Sequence, residues 1–120
     1  MATRGKGARI KGAQFERDIA NLLTDKTGFR FQRGLAQTRG GGAEVADVTC
    51  ATLPKPVHFE LKRQQRCNIK AAVVQAQEDS HVDTMRVIIT KEDRLDTLVT
   101  MELHQWLELF NSWLRENGQT

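Results

Sequence analysis

The segment from residue 57 to residue 90 constrains the fold more than any other part of this sequence. Apolar and polar side chains alternate over residues 57–62, which predicts a strand with one face toward a core. An alanine-rich helix is predicted over residues 69–79, and a short apolar strand over residues 86–90. Because a helix between two strands of one sheet usually returns the chain in the same direction, we expect these strands to be parallel.

The flanking segments extend this unit to an α/β fold. Apolar residues at helical spacing predict a first helix over residues 12–26, which Gly28 ends. Two further strands are predicted over residues 29–33 and 45–51, and the polar segment 93–98 is predicted to be a loop. The order is helix, strand, strand, strand, helix, strand, helix, which indicates a mixed central sheet flanked by helices.

A final amphipathic helix carries a long apolar side, which Asn117 and Gly118 end. This side consists of Leu103, Trp106, Leu107, Phe110, Trp113 and Leu114. We expect most of it to pack in the core, with contact to a second subunit at its edge.

Length and composition fit one globular domain. The chain has 120 residues, of which 39% are hydrophobic and 28% charged. Residues 1–11 carry four basic residues and no acid, so we expect a flexible basic arm before a single domain over residues 12–120. No run approaches the ~20 apolar residues of a membrane span, and the two cysteines suggest free thiols in a reducing compartment. We expect neither a membrane nor an organic cofactor as a partner.

Charge is distributed unevenly along the chain. Residues 1–70 hold 14 Lys and Arg against 6 Asp and Glu, whereas residues 71–120 hold 4 against 9. A strongly basic half indicates a polyanionic partner such as nucleic acid. If the two halves interleave in three dimensions, however, this asymmetry disappears from the surface.

Asp47, Glu60 and Lys62 are the residues that most strongly suggest chemistry. Strand alternation places Glu60 and Lys62 on one face, and a hairpin through residues 54–56 would bring Asp47 beside Glu60. Two carboxylates this close repel each other unless a cation lies between them, and oxygen ligands favour Mg²⁺ or Mn²⁺. A neighbouring lysine can orient or help activate a metal-polarised water near a phosphate. Glu16, at the edge of the first helix's apolar stripe, adds a third acid.

Each of these residues also has a structural explanation. An acid and a lysine two residues apart on a strand usually form an ion pair on a solvated face. Asp47 can be a turn residue at a strand end, and Glu16 and Gln75 can be polar residues on helix surfaces. The order favours chemistry: an acid on a first helix, a glycine-rich loop, an aspartate at a strand, Glu-x-Lys in the next strand, and then a helix.

Short stretches in this order carry a family resemblance that spans roughly residues 11–90. They are residues 11–18, 28–29, Arg33, 39–42, 46–48, 59–62 and 75–76. Together they resemble the PD-(D/E)xK nuclease superfamily, and within it the archaeal-type Holliday-junction resolvases, which also occur in some viruses. The resemblance implies a restriction-endonuclease-like core.

The resemblance also implies a role for each matching residue. The ligands of Mg²⁺, for which Mn²⁺ can substitute, would be Glu16, Asp47, Glu60 and the backbone carbonyl of Leu61. Lys62 would be the catalytic lysine, and Gln75 would position Lys62 or the phosphate. None of the three histidines shows ligand spacing, so no metal is assigned to them.

The implied activity is that of a homodimer that makes paired cuts in a four-way DNA junction. Such a protein would work with DNA in the cytoplasm, at a nucleoid or a site of viral replication. Ala46 stands where a proline is common, and the glycine-rich loop lacks the resolvases' serine, with Thr38 as the nearest hydroxyl. Two alternatives therefore stay open: a nicking, repair or restriction-type nuclease of the same superfamily, or a non-catalytic DNA-binding module.

Basic residues around the acids are the candidates for phosphate contacts. They are Lys11, Arg30, Arg33, Arg39, Arg63, Arg66 and Lys70, together with Thr38 and the arm residues Arg4, Lys6 and Arg9. Each of the charged residues can instead be a solubilising surface charge. Their clustering near the acids in the sequence favours Arg33, Arg39 and Arg63 as DNA contacts.

Overall fold

The structure, a computed structural model, describes residues 2–34 and 46–118, with side chains from residue 6 onward in the first range. Its elements are α1 (Ala2–Thr27), β1 (Gln32–Arg33), β2 (Val48–Thr49), β3 (Val57–Arg63), α2 (Ile69–Glu78), β4 (Met85–Lys91), β5 (Leu98–Thr100) and α3 (Leu103–Glu116). The predicted α/β class is confirmed. Among the described residues, no helix combines the length and apolar composition needed to cross a bilayer.

The five strands form one mixed sheet in the order β1-β2-β3-β4-β5. As predicted, β3 and β4 are parallel, and α2 connects them. The other three strand pairs are antiparallel. In the β2–β3 pair Val48 lies opposite Phe59, which confirms the predicted hairpin across the turn at residues 54–56. This architecture agrees with a restriction-endonuclease-like core.

Helices cover the sheet on both faces, and strand alternation divides β3 between them. On the α1 side, the buried cluster consists of Phe15, Ile19, Ala20, Phe31, Val48, Phe59, Leu61 and Ile89. On the α2 side, a smaller cluster consists of Ala72, Ala76 and Ile88. Because Glu60 and Lys62 alternate with Phe59 and Leu61, their side chains lie on the α2 side.

The first helix begins ten residues earlier than the sequence predicts. It runs from Ala2 rather than from residue 12, so residues 2–11 are helical and continuous with the rest of α1. The segment contains no proline. Its alanine, lysine and arginine residues favour helix, which offsets the cost of about 1 kcal/mol that each glycine adds to helix formation. Its action as an arm on DNA stays a prediction.

The predicted loop and strands near the sheet edges also need correction. β5 begins at Leu98, the last residue of the region predicted as a loop. Three residues are too few to show a period in the sequence, and pairing with β4 makes this segment a strand. The element order therefore gains one strand. β1 and β2 have two residues each, fewer than predicted. Residues 35–45, which include most of the predicted glycine-rich loop, lie outside the described residues.

The expectation that the apolar side of the last helix packs in the core is wrong. Gln105 is the buried residue of α3, whereas Trp106 is 44% exposed and Trp113 is 58% exposed. The helix contacts the rest of the protein through polar groups near its N-terminus: Gln105 accepts a hydrogen bond from the Arg86 backbone N–H and donates one to the Thr84 carbonyl, both at 2.8 Å. Amphipathicity alone does not say which side faces the core.

Candidate active site

Asp47 precedes β2 and is fixed against β3 by two hydrogen bonds. Its backbone N–H donates to the Phe59 carbonyl (3.0 Å), and its Oδ2 accepts the N–H of Leu61 (2.8 Å). Since Val48 lies opposite Phe59 in the antiparallel register, Asp47 comes opposite Glu60. The two acids predicted to converge are therefore neighbours across the hairpin, beside the peptide of Leu61.

The ionised form of Asp47 is poorly stabilised where it lies. The pKa of its carboxyl is raised from 3.8 to about 6, mainly because burial removes water from it. The hydrogen bond from the Leu61 N–H opposes this shift, and so does the positive charge of Lys62. The negative charges of Glu60 and Glu16 add to it. Glu16 and Glu60, from two other parts of the chain, thus act electrostatically on Asp47.

Glu60 is buried on the α2 side of β3, with polar partners on both of its oxygens. His58 Nε2 lies 2.9 Å from Oε1, and Lys62 Nζ lies 3.7 Å from Oε2. Lys62 also donates a long hydrogen bond of 3.4 Å to Oε1 of Gln75 on α2. The small residues Ala72 and Ala76 are the buried ones of α2, which lets the helix approach the sheet closely enough for this contact. The structure therefore brings Glu60, Lys62 and Gln75 together.

Glu16 lies on α1, where Arg33 of β1 binds it. Arg33 Nε donates to Glu16 Oε1 at 2.9 Å, and both side chains are half-buried. This ion pair orients Glu16 near Asp47. The negative charge of Glu16 raises the pKa of Asp47. Arg33 is thereby engaged with an acid, so its predicted contact with DNA would compete with this pair.

A second group of possible ligands lies around Glu60, and the sequence analysis missed it. Among the described residues, His58, Glu60 and Asp79 have ligand atoms that all lie within 4.8 Å of one another, whereas Glu16, Asp47 and Glu60 do not form so compact a group. Strand alternation already placed His58 on the face of Glu60. Nothing in the sequence pointed to Asp79, because it follows α2 and comes close to His58 and Glu60 only through the packing of that helix.

The two groups of possible metal ligands differ in how well neighbouring polar atoms stabilise them without a cation. In the second group His58 and Glu60 are hydrogen-bonded to each other, so each of these two side chains already has a polar partner. Asp47, in contrast, is buried beside other acids and its pKa is raised. An all-oxygen donor set with excess negative charge fits a hard divalent cation. Asp47 and Glu60, with Glu16 nearby, are therefore the candidate ligands for such a cation.

Comparison with known proteins agrees with this chemistry. A family model described as "Phage putative PDDEXK endonuclease" matches residues 7–118. The chain belongs to this family. No curated protein and no solved structure matches it. The predicted PD-(D/E)xK superfamily is therefore confirmed, and membership indicates a nuclease that acts on DNA and uses a divalent metal ion. Resolution of Holliday junctions goes beyond the family description.

The predicted DNA contacts of this PDDEXK endonuclease fall into different environments. Lys11 and Arg63 both approach Asp93, at 3.7 and 2.7 Å, and Arg63 also donates to the Lys91 carbonyl. The hydrogen bond from Arg63 holds the pKa of the Asp93 carboxyl below its usual range. Arg63 and Lys11, which is part of α1, thus share the carboxylate of Asp93.

Other basic residues of the endonuclease are more accessible. Arg30, Arg66 and Lys70 are exposed, and Lys70 lines a shallow groove along α2 together with Gln75 and Asp79. Thr38 and Arg39 lie outside the described residues, as does the side chain of Arg4. The groove passes Gln75, the residue that contacts Lys62.

Proposed function

We propose that this chain is a metal-dependent endodeoxyribonuclease that resolves four-way DNA junctions by paired nicks. One observation carries the chemical part of this proposal. The carboxylates of Glu60 and Glu16 act electrostatically on Asp47, whose pKa rises to about 6, mainly because the group is buried. A protein that only bound DNA would gain nothing from acids placed next to phosphates.

Mg²⁺, with Mn²⁺ as a substitute, is the cofactor we propose. Asp47 and Glu60 would hold it, together with the Leu61 carbonyl beside them, and Glu16 would contribute from α1. When bound, the ion polarises the attacking water and neutralises charge on the phosphate. No organic cofactor and no membrane partner are needed.

The remaining residues of the site act on the ligands and on the substrate. Lys62 is 28% exposed, so its ammonium group remains accessible to a phosphate while it stays within 3.7 Å of Glu60. We assign to it the general catalytic role of holding or moving a proton at the reacting water. Gln75 restrains the lysine from α2, and His58 fixes the carboxylate of Glu60 through its hydrogen bond.

DNA would lie over the exposed basic residues next to this site. Phosphate contacts position a nuclease without reading bases, and the candidates are Arg30, Arg66 and Lys70, with Lys6, Arg9 and Lys11 along the N-terminal part of α1. A single domain over residues 12–120 would carry the chemistry. The protein would act in the cytoplasm, at a nucleoid or a site of viral replication.

Selectivity for junctions is the finer part of the proposal. Paired nicks need two active sites at a fixed separation, which a homodimer supplies. The alternative is a nicking, repair or restriction-type enzyme, in which the same residues would cut other DNA. A fold supports several substrates, so only the substrate itself distinguishes these alternatives.

The test compares strand-labelled substrates in Mg²⁺: a four-way junction, a flap, a mismatched duplex and a plain duplex. We expect symmetric paired nicks in the junction and little cutting of the plain duplex. Lys62→Ala should abolish cutting, and Lys55→Ala, which alters an exposed lysine in the 54–56 turn, should not. Equal rates on all four substrates would overturn junction selectivity alone. If no substrate is cut by a correctly folded protein, the nuclease assignment itself is wrong.

A further inference from the structure

An exposed apolar surface runs along α3. We call this surface the α3 apolar face; its residues are Leu103, Trp106, Leu107, Leu109, Phe110 and Trp113, which are between 37% and 69% exposed. At about 100° per residue, they occupy a continuous arc of roughly 160° around the helix, with no charged residue in it. Val99 of β5 is 60% exposed and adjoins Trp106.

The aromatic residues of the face are already ordered. The rings of Trp106 and Phe110 are stacked at 4.8 Å with an interplanar angle of 11°, and those of Phe110 and Trp113 at 6.0 Å and 10°. The three near-parallel rings, one helical turn apart, thus form a stacked strip along the helix. Because these side chains need little further ordering, a partner can bind them at low entropic cost.

Polar contacts hold the helix with this face turned outward. Besides the two hydrogen bonds of Gln105, the guanidinium of Arg86 binds Glu102 at 2.9 Å, and this arginine is almost fully buried. Partial burial raises the pKa of Glu102, but hydrogen bonds from Gln77 and Arg86 hold it below its usual value overall. The helix is therefore fixed in place, and the exposure of its aromatic rings is not a result of loose attachment.

The size of the face fits a stable protein interface. The six side chains of the face and the adjoining Val99 are on average about half exposed, so at about 200 Å² per large side chain they offer roughly 700 Å². A standard interface takes about 800 Å² from each partner. The largest apolar patch of an ordinary monomer measures only about 300–600 Å², so this face is larger than a monomer needs to expose.

The charges of α3 exclude two other kinds of occupant. The helix has one basic residue, Arg115, against the acids Glu108 and Glu116. DNA binding depends on lysine and arginine contacts with phosphate, and helices that lie on anionic membranes are rich in the same residues. The α3 apolar face is uncharged and aromatic and has acidic neighbours, so it fits another apolar protein surface instead.

We infer that a second copy of this chain packs on the α3 apolar face, so that two α3 helices meet about a two-fold axis. A two-fold interface requires a surface that is complementary to itself, and an apolar face without charges meets its own copy without placing like charges together. The choice of a second copy over an unrelated protein rests in part on the proposed function, since paired nicks need two active sites. The location of the interface rests on α3 alone.

Sedimentation velocity of the full chain, together with tryptophan fluorescence, tests this inference. We expect a mass twice the 13.6 kDa of one chain at micromolar concentration. Both tryptophans of the chain lie in the face, so dilution should shift their emission to the red as the dimer dissociates. A wild-type protein that remains monomeric at the highest soluble concentration overturns the inference; if that monomer still cuts DNA, the proposed nuclease function stands.

Trp113→Glu places a charge at the more exposed end of the strip, since Trp113 is 58% exposed, and should give a monomer. The matched control is Leu22→Glu, since Leu22 is 51% exposed on α1, whereas the hydrogen bonds at the start of α3 join it to β4 and α2; it should remain dimeric. Circular dichroism checks that both variants fold, and Leu109→Glu replaces Trp113→Glu if that variant does not. If folded variants of the face dimerise as strongly as the control, the interface lies elsewhere.

Discussion

Replacing Asp47 by asparagine should make the metal-free protein more stable at neutral pH. The native pKa of about 6 lies above the ordinary value of 3.8, so the native state binds more protons than the unfolded state between about pH 4 and pH 6. Stability therefore falls as the pH rises through this window, by about 3 kcal/mol at 1.36 kcal/mol per pKa unit. The substitution Asp47→Asn would remove this cost, while the oxygen of the new amide side chain still accepts the Leu61 N–H.

Urea unfolding in EDTA measures this effect. Because the new amide group needs a partner of its own, we expect Asp47→Asn to stabilise the protein by about 1–3 kcal/mol at pH 7.5. Near pH 2.5, where the aspartate is protonated in both states, the two proteins should differ little. A variant that is destabilised by more than about 1 kcal/mol at pH 7.5 would refute the reasoning, since the ionised carboxylate would then support the fold.

Three further substitutions test other parts of the account. Lys62→Ala should abolish cleavage and change DNA affinity by no more than a few-fold in fluorescence anisotropy; loss of binding would make Lys62 a DNA contact rather than a catalytic residue. Arg86→Ala should lower the free energy of unfolding by about 3–5 kcal/mol, because it removes the partner of half-buried Glu102; a loss below about 1 kcal/mol would contradict this. Gly28→Ala should cost only about 1–2 kcal/mol in urea unfolding, since Gly28 has φ 81° but an added Cβ meets no atom within 4 Å; a much larger loss would point to a steric contact.

The sequence was sufficient to predict the part of the site that depends on local periodicity. Alternation along β3 placed Glu60 and Lys62 on one face, and the turn at residues 54–56 paired that strand with the segment of Asp47. The family resemblance, rather than periodicity, predicted that Gln75 positions Lys62, and Gln75 does contact that lysine.

Features that depend on packing between distant elements could not be predicted in this way. Asp79 joins His58 and Glu60 only because α2 ends above that point of the sheet. Arg33 binds Glu16 across 17 positions of the sequence. The outward orientation of α3 depends on the buried hydrogen bonds of Gln105, which no apolar pattern reveals.

Calorimetric titration with Mn²⁺ tests the central claim most directly, because the two possible metal groups share Glu60 but differ in their second acid. Asp47→Asn alters only the first group, and Asp79→Asn alters only the second. We predict that the wild type and Asp79→Asn bind Mn²⁺ and that Asp47→Asn binds it at least tenfold more weakly. Full binding by Asp47→Asn, or loss of binding in Asp79→Asn alone, would contradict the claim that Asp47 and Glu60 hold the metal ion.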